Sequence, residues 1–235
     1  MYRARLMHRL VLFDIDATLL LTSGAGMRAM KKASLELFGD RFSWDVLDTS
    51  GGLDPQLFRE AARQSAFAAS RAEELAFRDR YEEHLDRELA PGKDVVEAMP
   101  GVHGILETLK AREDIVLGIL TGNYPRAAAL KLRAIDIDIT WFPVRVFGDD
   151  GLNRSELGAV ALRRYTEMHG RPIEPSRVLI VGDTPKDVEC GLSNGFQVLA
   201  VGTGKYPLGE LLASGAHRVT PDLSDPTPLL EMLGD

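Results

Sequence analysis

Short, continuous apolar runs punctuate the chain, and most of its second half alternates them with longer amphipathic stretches. Leu10-Val11-Leu12-Phe13, residues 115–120, 177–181 and 196–201 are rich in β-branched and aromatic side chains and lack polar alternation. That pattern predicts strands buried on both faces. Weaker runs at 142–147 and 217–220 predict two more strands. Between them, apolar residues recur at helical spacing over about 102–112, 125–134, 155–168, 185–193, 207–214 and 227–233. Strand and helix in alternation from residue 100 onward indicate a parallel sheet wrapped by helices, an α/β fold.

The span 23–97 has a different texture. Thr22-Ser23-Gly24-Ala25-Gly26 is small and flexible, and Thr22 or Ser23 is suited to cap the helix expected over 27–38, which Gly39 stops. A turn-rich loop over 48–55 follows, then helices at about 55–68 and 71–89 in an Ala-, Glu-, Arg- and Leu-rich stretch. No strand is expected in this block. It separates the first strand from the rest of the sheet, so the expected organisation is an α/β core formed by 1–22 and 98–235, with 23–97 inserted into it. Residues 1–8 are expected to be a frayed lead-in.

Polar groups gather at the ends of the apolar runs. Asp14 and Asp16 follow the first, Thr121 the run at 115–120, the loop Asp149–Arg154 the run at 142–147, and Asp183 and Asp187 the run at 177–181. A parallel sheet carries all its strand C-termini on one edge, so these groups are expected to converge. Asp14 and Asp16 stand at i and i+2 on an extended segment and point the same way. Their repulsion calls for a cation or a shared proton.

Composition narrows the classes. The 235 residues are 45% hydrophobic and 27% charged, ordinary for a soluble globular protein, with a formal net charge of −7. No basic block is present, which argues against nucleic acid or an anionic membrane as partner. No apolar run approaches the ~18 residues of a transmembrane helix. The single Cys190 permits no internal disulfide and fits a reducing cytoplasm. The basic start of the chain runs directly into the first strand without a cleavage-site pattern, so no signal peptide is expected. The five His residues show no metal-ligand spacing. Asn123 reads as a helix cap, Met27, Met30, Phe58 and Phe67 as hydrophobic core of the insertion, and Cys190 as buried filler.

LVLFDIDAT (10–18), an apolar strand ending in Thr121, a basic residue and GDTPKD (182–187) together resemble the haloacid dehalogenase-like hydrolase superfamily, over about residues 9–233. The helical block resembles that superfamily's C1-type cap, and the branch with phosphoglycolate phosphatases and β-phosphoglucomutases is the most similar in appearance. The resemblance implies a three-layer, Rossmann-like parallel sheet core with an inserted all-helical cap. Two positions depart from the family pattern. Ala17 stands where many relatives have Gly, and a positive φ there is costly for Ala. Arg154 stands where the family usually has Lys, supplying the same charge more rigidly.

The resemblance implies a Mg²⁺-dependent phosphatase acting on a small phosphomonoester through an aspartyl-phosphate. Asp14 is the implied nucleophile and Asp16 the implied general acid and base. The implied Mg²⁺ ligands are the Asp14 carboxylate, the Asp16 backbone carbonyl and Asp183, with Asp187 behind them. Thr121 and the Gly122 N–H are implied to bind the phosphoryl group, and Arg154 to neutralise nucleophile and phosphate. Leaving-group recognition is expected from Thr22–Gly26, the Ser50–Pro55 loop and the surroundings of Arg59 or Arg63. The partner is then a small phosphorylated metabolite, and a monomer is the default.

Other readings are distinguishable. Dehalogenases of the superfamily lack an acid at the position of Asp16. Phosphonatases replace it with a small residue and use a cap lysine, for which Lys31 and Lys32 are the available residues. Mutases carry a His soon after the first motif, whereas none occurs here between Asp16 and His84. A receiver domain is about half this length and has no helical insertion. A catalytically inactive scaffold on the same fold is the remaining alternative, prompted by Ala17 and the missing Lys.

Overall fold

The computed structural model describes residues 8–44, 48–90 and 95–234. Most of the expected lead-in, residues 1–7, lies outside them. Six parallel strands form the sheet in the order β5-β4-β1-β6-β7-β8. They are β1 (Arg9–Phe13), β4 (Ile115–Leu120), β5 (Val144–Val146), β6 (Val178–Gly182), β7 (Gln197–Val201) and β8 (Arg218–Thr220). The chain leaves β1 toward β4 and β5, then returns across the sheet to β6 on the other side of β1. The strand order therefore reverses around β1, the place where open α/β sheets bind ligands.

Side-chain alternation divides the core into layers. Val11, Phe13, Leu117, Ile119, Leu179 and Val181 face one way and pack under α4 (Val102–Lys110), α5 (Pro125–Arg133) and α9 (Thr227–Leu233). Leu10, Leu12, Val116, Leu120, Val178 and Ile180 face the other and pack with α6 (Arg154–His169). On that side Val198 and Ala200 meet α7 (Pro185–Ser193) and α8 (Leu208–Ala213). Both faces of the central strands are covered, which is why their sequences show no alternation. This is the three-layer α/β architecture.

The insertion holds α1 (Ala25–Phe38), α2 (Asp54–Gln64) and α3 (Arg71–Leu89). Its interior is aromatic: Phe58 and Phe77 stack at 4.4 Å, with Phe42 and Trp44 alongside. Tyr81 then reaches Tyr124 of the sheet side at 6.3 Å, so the insertion and one sheet face share a continuous core. The expectation of no strand over 23–97 is corrected only at its last residue: β3 (Glu97–Ala98) pairs antiparallel with β2 (Leu20–Leu21), which precedes the block. Thr22 and Ser23 do not cap α1. Gly24, in the left-handed region, occupies that position, and no side chain caps it. The strand expected over 142–147 is confined to Val144–Val146, and the helix expected over 55–68 ends at Gln64. Among the described residues no helix is long and apolar enough to cross a membrane.

Candidate active site at the carboxyl edge of the sheet

A cavity of about 300 Å³ opens between the C-terminal ends of β1, β4 and β6 and the insertion. Asp14, Asp16, Thr121, Gly122, Arg154 and Asp183 all line it, so residues from four separate strand ends do converge. Asp187 stands immediately behind, fully buried.

On the β6 side, burial and like charge dominate. Asp14, Asp183 and Asp187 each offer a carboxylate oxygen within 4.8 Å of the others. Burial pushes the Asp14 carboxyl up to about 6 although Arg154 pulls it down. Burial, aided by Asp187 and Asp14, pushes Asp183 up to about 8. Arg154 opens α6, which Asn153 caps by accepting from the Glu156 N–H. The helix start expected at Ser155 is thus one residue late. Packing of α6 against α7 brings Arg154 to Asp187 Oδ1, to which Nε donates at 2.9 Å, and Nη2 lies 3.0 Å from Asp14 Oδ1. Burial opposes the guanidinium charge, but Asp187 and Asp14 outweigh it and raise its pKa. Asp187 also closes a capping box, accepting from the Thr184 N–H (3.1 Å) and hydroxyl (2.7 Å). It is therefore both a helix cap and the anchor of Arg154. Three buried carboxylates facing one guanidinium are short of positive charge. Their oxygen-only donor set fits a hard divalent cation such as Mg²⁺.

The β4 side is built differently. Thr121 ends β4, fully buried, and its Oγ1 accepts from Asn123 Nδ2 at 2.7 Å. Asn123 Nδ2 also donates to Asp16 Oδ2 at 2.7 Å. Asn123 is thus no helix cap: Tyr124 holds the N-cap position of α5 without a side-chain bond. Lys131 of α5 completes the group, donating to both Asp16 oxygens (2.7 and 2.6 Å) and to Asn123 Oδ1 (2.6 Å). Its side chain is 5% exposed, that of Asp16 46%. The sequence reading missed Lys131. The available signal was its place on an apolar stripe with Ala127, Ala128 and Ile135, where an unpaired Lys is rarely tolerated.

The insertion supplies much of the remaining wall: Gly24 and Gly26, Met27 and Met30, Thr49 to Gly52, Asp54, Leu57 and Tyr81, with Thr22 at its entry. Met27 and Met30 therefore face the cavity as well as the core, correcting their assignment to core alone. Arg59 and Arg63 do not reach it. They pair with Glu74 and Glu60. Asp54 begins α2 and joins the two parts of the molecule. Its N–H donates to the Gly122 carbonyl at 2.7 Å, and its Oδ2 accepts from the Tyr124 N–H at 2.9 Å. Burial pushes its carboxyl up to about 7. Gly122 lies so close to the insertion that a Cβ there would fall 1.8 Å from the Gly52 carbonyl oxygen.

Ala17 has φ 56, so the strain anticipated for a non-glycine residue is present. The turn beyond β1 holds it there. Its N–H donates to the Leu20 carbonyl at 2.8 Å, and its carbonyl accepts from Thr203 Oγ1. Cys190 is buried, its thiol pushed up to about 12 by burial, and the cavity does not include it.

The family model for haloacid dehalogenase-like hydrolases matches residues 11–191. Among solved structures, a hydrolase from Pseudomonas syringae matches with a TM-score of 0.73 at 21% identity, over 97% of this chain and 100% of that one. CbbY from Rhodobacter sphaeroides in complex with phosphate matches with a TM-score of 0.74 at 18% identity, over 93% and 96%. A β-phosphoglucomutase from Clostridium difficile matches with a TM-score of 0.72 at 14% identity, over 97% of each chain. At these identities the likeness is one of fold. No curated protein matches the sequence.

Proposed function

The chain belongs to the haloacid dehalogenase-like hydrolases, and from that premise we propose that it is a Mg²⁺-dependent phosphatase of small phosphomonoesters. One observation carries the reading: Asp14 faces the cavity at the end of β1, with Arg154 on one of its oxygens and Thr121 on the neighbouring strand. The similarity in fold to CbbY solved with phosphate supports a phosphoryl group as ligand.

In this reading Asp14 Oδ attacks phosphorus, forming an O–P bond while the bond to the ester oxygen breaks. Asp16 gives that oxygen its proton. Water then attacks the aspartyl-phosphate and passes a proton to Asp16, and the Asp14–phosphorus link breaks to release phosphate. Thr121 Oγ1 accepts from Asn123, which leaves its own O–H to donate to a phosphoryl oxygen, with the Gly122 N–H beside it. Arg154 offsets charge on Asp14 and the phosphoryl group. Asp14, Asp183 and the Asp16 backbone carbonyl would hold Mg²⁺, with Asp187 behind them. The ion would supply positive charge where three acids crowd. Residues 23–97 act as a cap that excludes water and reads the leaving group.

Among the described residues no His lines the cavity, which weighs against the mutase alternative. The intact set of acids, Thr121 and Arg154 weighs against an inactive scaffold. Hydrolysis of p-nitrophenyl phosphate, measured with Mg²⁺ and with EDTA, tests the reading. Mg²⁺-dependent turnover supports it, and folded protein without turnover above background removes it.

A further inference from the structure

Lys131 is nearly buried, yet it spends its charge on a carboxylate that is half open to the cavity. Burying an ammonium costs desolvation, which its partners Asp16 and Asn123 offset only through close hydrogen bonds. Here all three ammonium protons are committed, two to Asp16 and one to Asn123 Oδ1. None is left for a substrate carboxylate or phosphate. Asn123 itself ties Asp16 to Thr121. Asp16 is thereby held from the β4 side by Lys131 and Asn123, and it is not one of the three acids, Asp14, Asp183 and Asp187, whose oxygens gather within 4.8 Å.

We propose that Lys131, with Asn123, is a positioning residue: it fixes the Asp16 carboxyl group toward the leaving-group oxygen and away from the three-acid cluster. The inference rests on the phosphatase reading above. Because Lys131 and Asn123 both belong to the sheet domain, Asp16 is held in place whatever the insertion does. Lys131 acts through Asp16 and touches no reacting atom.

The test compares two esters that differ in how much their leaving group needs a proton: p-nitrophenyl phosphate, whose leaving group is weakly basic, and phenyl phosphate, whose leaving group is strongly basic. In Lys131→Met the stem remains and the charge goes. The expected result is a fall in kcat of about 30-fold on phenyl phosphate and about 3-fold on p-nitrophenyl phosphate, with KM nearly unchanged. Both esters are assayed on one preparation, so the ratio of the two kcat values is independent of the fraction folded. Ethylammonium is expected to restore phenyl phosphate turnover in Lys131→Ala. Equal losses on both esters, or a raised KM with kcat intact, overturn the inference, as does failure of ethylammonium to change the ratio. No turnover of either ester by the unaltered protein overturns the phosphatase reading itself, a separate outcome.

Discussion

The two sides of the cavity floor solve the same electrostatic problem in opposite ways. On the β6 side three buried acids share one Arg154, leaving a surplus of negative charge. On the β4 side Asp16 is matched by Lys131. Two acids only two residues apart are thus served by two different buried cations. The unbalanced side is where an added divalent ion lowers the energy. The balanced side has no such need. Asp14 and Asp16 thus differ first in their counter-charges: one guanidinium shared among three acids against one ammonium matched to one.

The comparison breaks most severely if the surplus side is not the reacting one. Asp14→Asn is expected to lower kcat on p-nitrophenyl phosphate by roughly 10⁴-fold or more. Activity within tenfold of the unaltered protein would move the nucleophile elsewhere. Next in size is Arg154→Met, which strands Asp14 and Asp187 without their cation. Loss of one partner of a buried pair predicts destabilisation of about 3–5 kcal/mol, read from urea unfolding. An unchanged midpoint would show that the acids are not held by Arg154.

Burial of the cavity's acids, to which like charge adds at Asp14 and Asp183, should also be visible in the pH dependence of the metal-free protein. Asp14, Asp54 and Asp183 are raised from 3.8 to about 6, 7 and 8. Each keeps its proton in the folded protein at a pH where the unfolded chain has released it. Stability in EDTA is therefore expected to fall as pH rises from about 4 to 8, and Mg²⁺ to oppose the fall. A melting temperature in EDTA that climbs over this range would contradict the burial of these carboxyl groups. The smallest effect concerns the turn that carries both acids. Ala17→Gly relieves a left-handed residue and is expected to stabilise by about 1 kcal/mol, or about 2–4 °C. A lowered melting temperature would mean that Ala17 is not strained.

The β6 side was the more legible of the two in sequence. Its acids sit at strand ends, as does Thr121 on the other side, and strand ends are announced by the apolar runs before them. The topology of a parallel sheet then brings them together without further information. The apolar stripe marked Lys131 as paired but could not name the partner, because Asp16 lies 115 positions away and the pair forms across two elements. Asn123 was misread because an Asn before a helix usually caps it, whereas here Asp16 and Lys131 are stronger partners than a backbone N–H. β2 and β3 span two residues each, too short for any periodicity to register. Met27 and Met30 share a helix face with the core, and spacing alone does not tell a cavity wall from packed interior.

The near-contact of Gly122 with the Gly52 carbonyl has a consequence for how such a protein diversifies. The insertion comes to rest on backbone against backbone, so the height of its roof is set by main-chain atoms that any sequence supplies. Met27, Met30 and Leu57 can then be exchanged over generations, reshaping the cavity wall, while the main-chain contact that seats the roof is kept. Gly122 has no such freedom, because a Cβ there would fall on the Gly52 carbonyl and lift the roof itself.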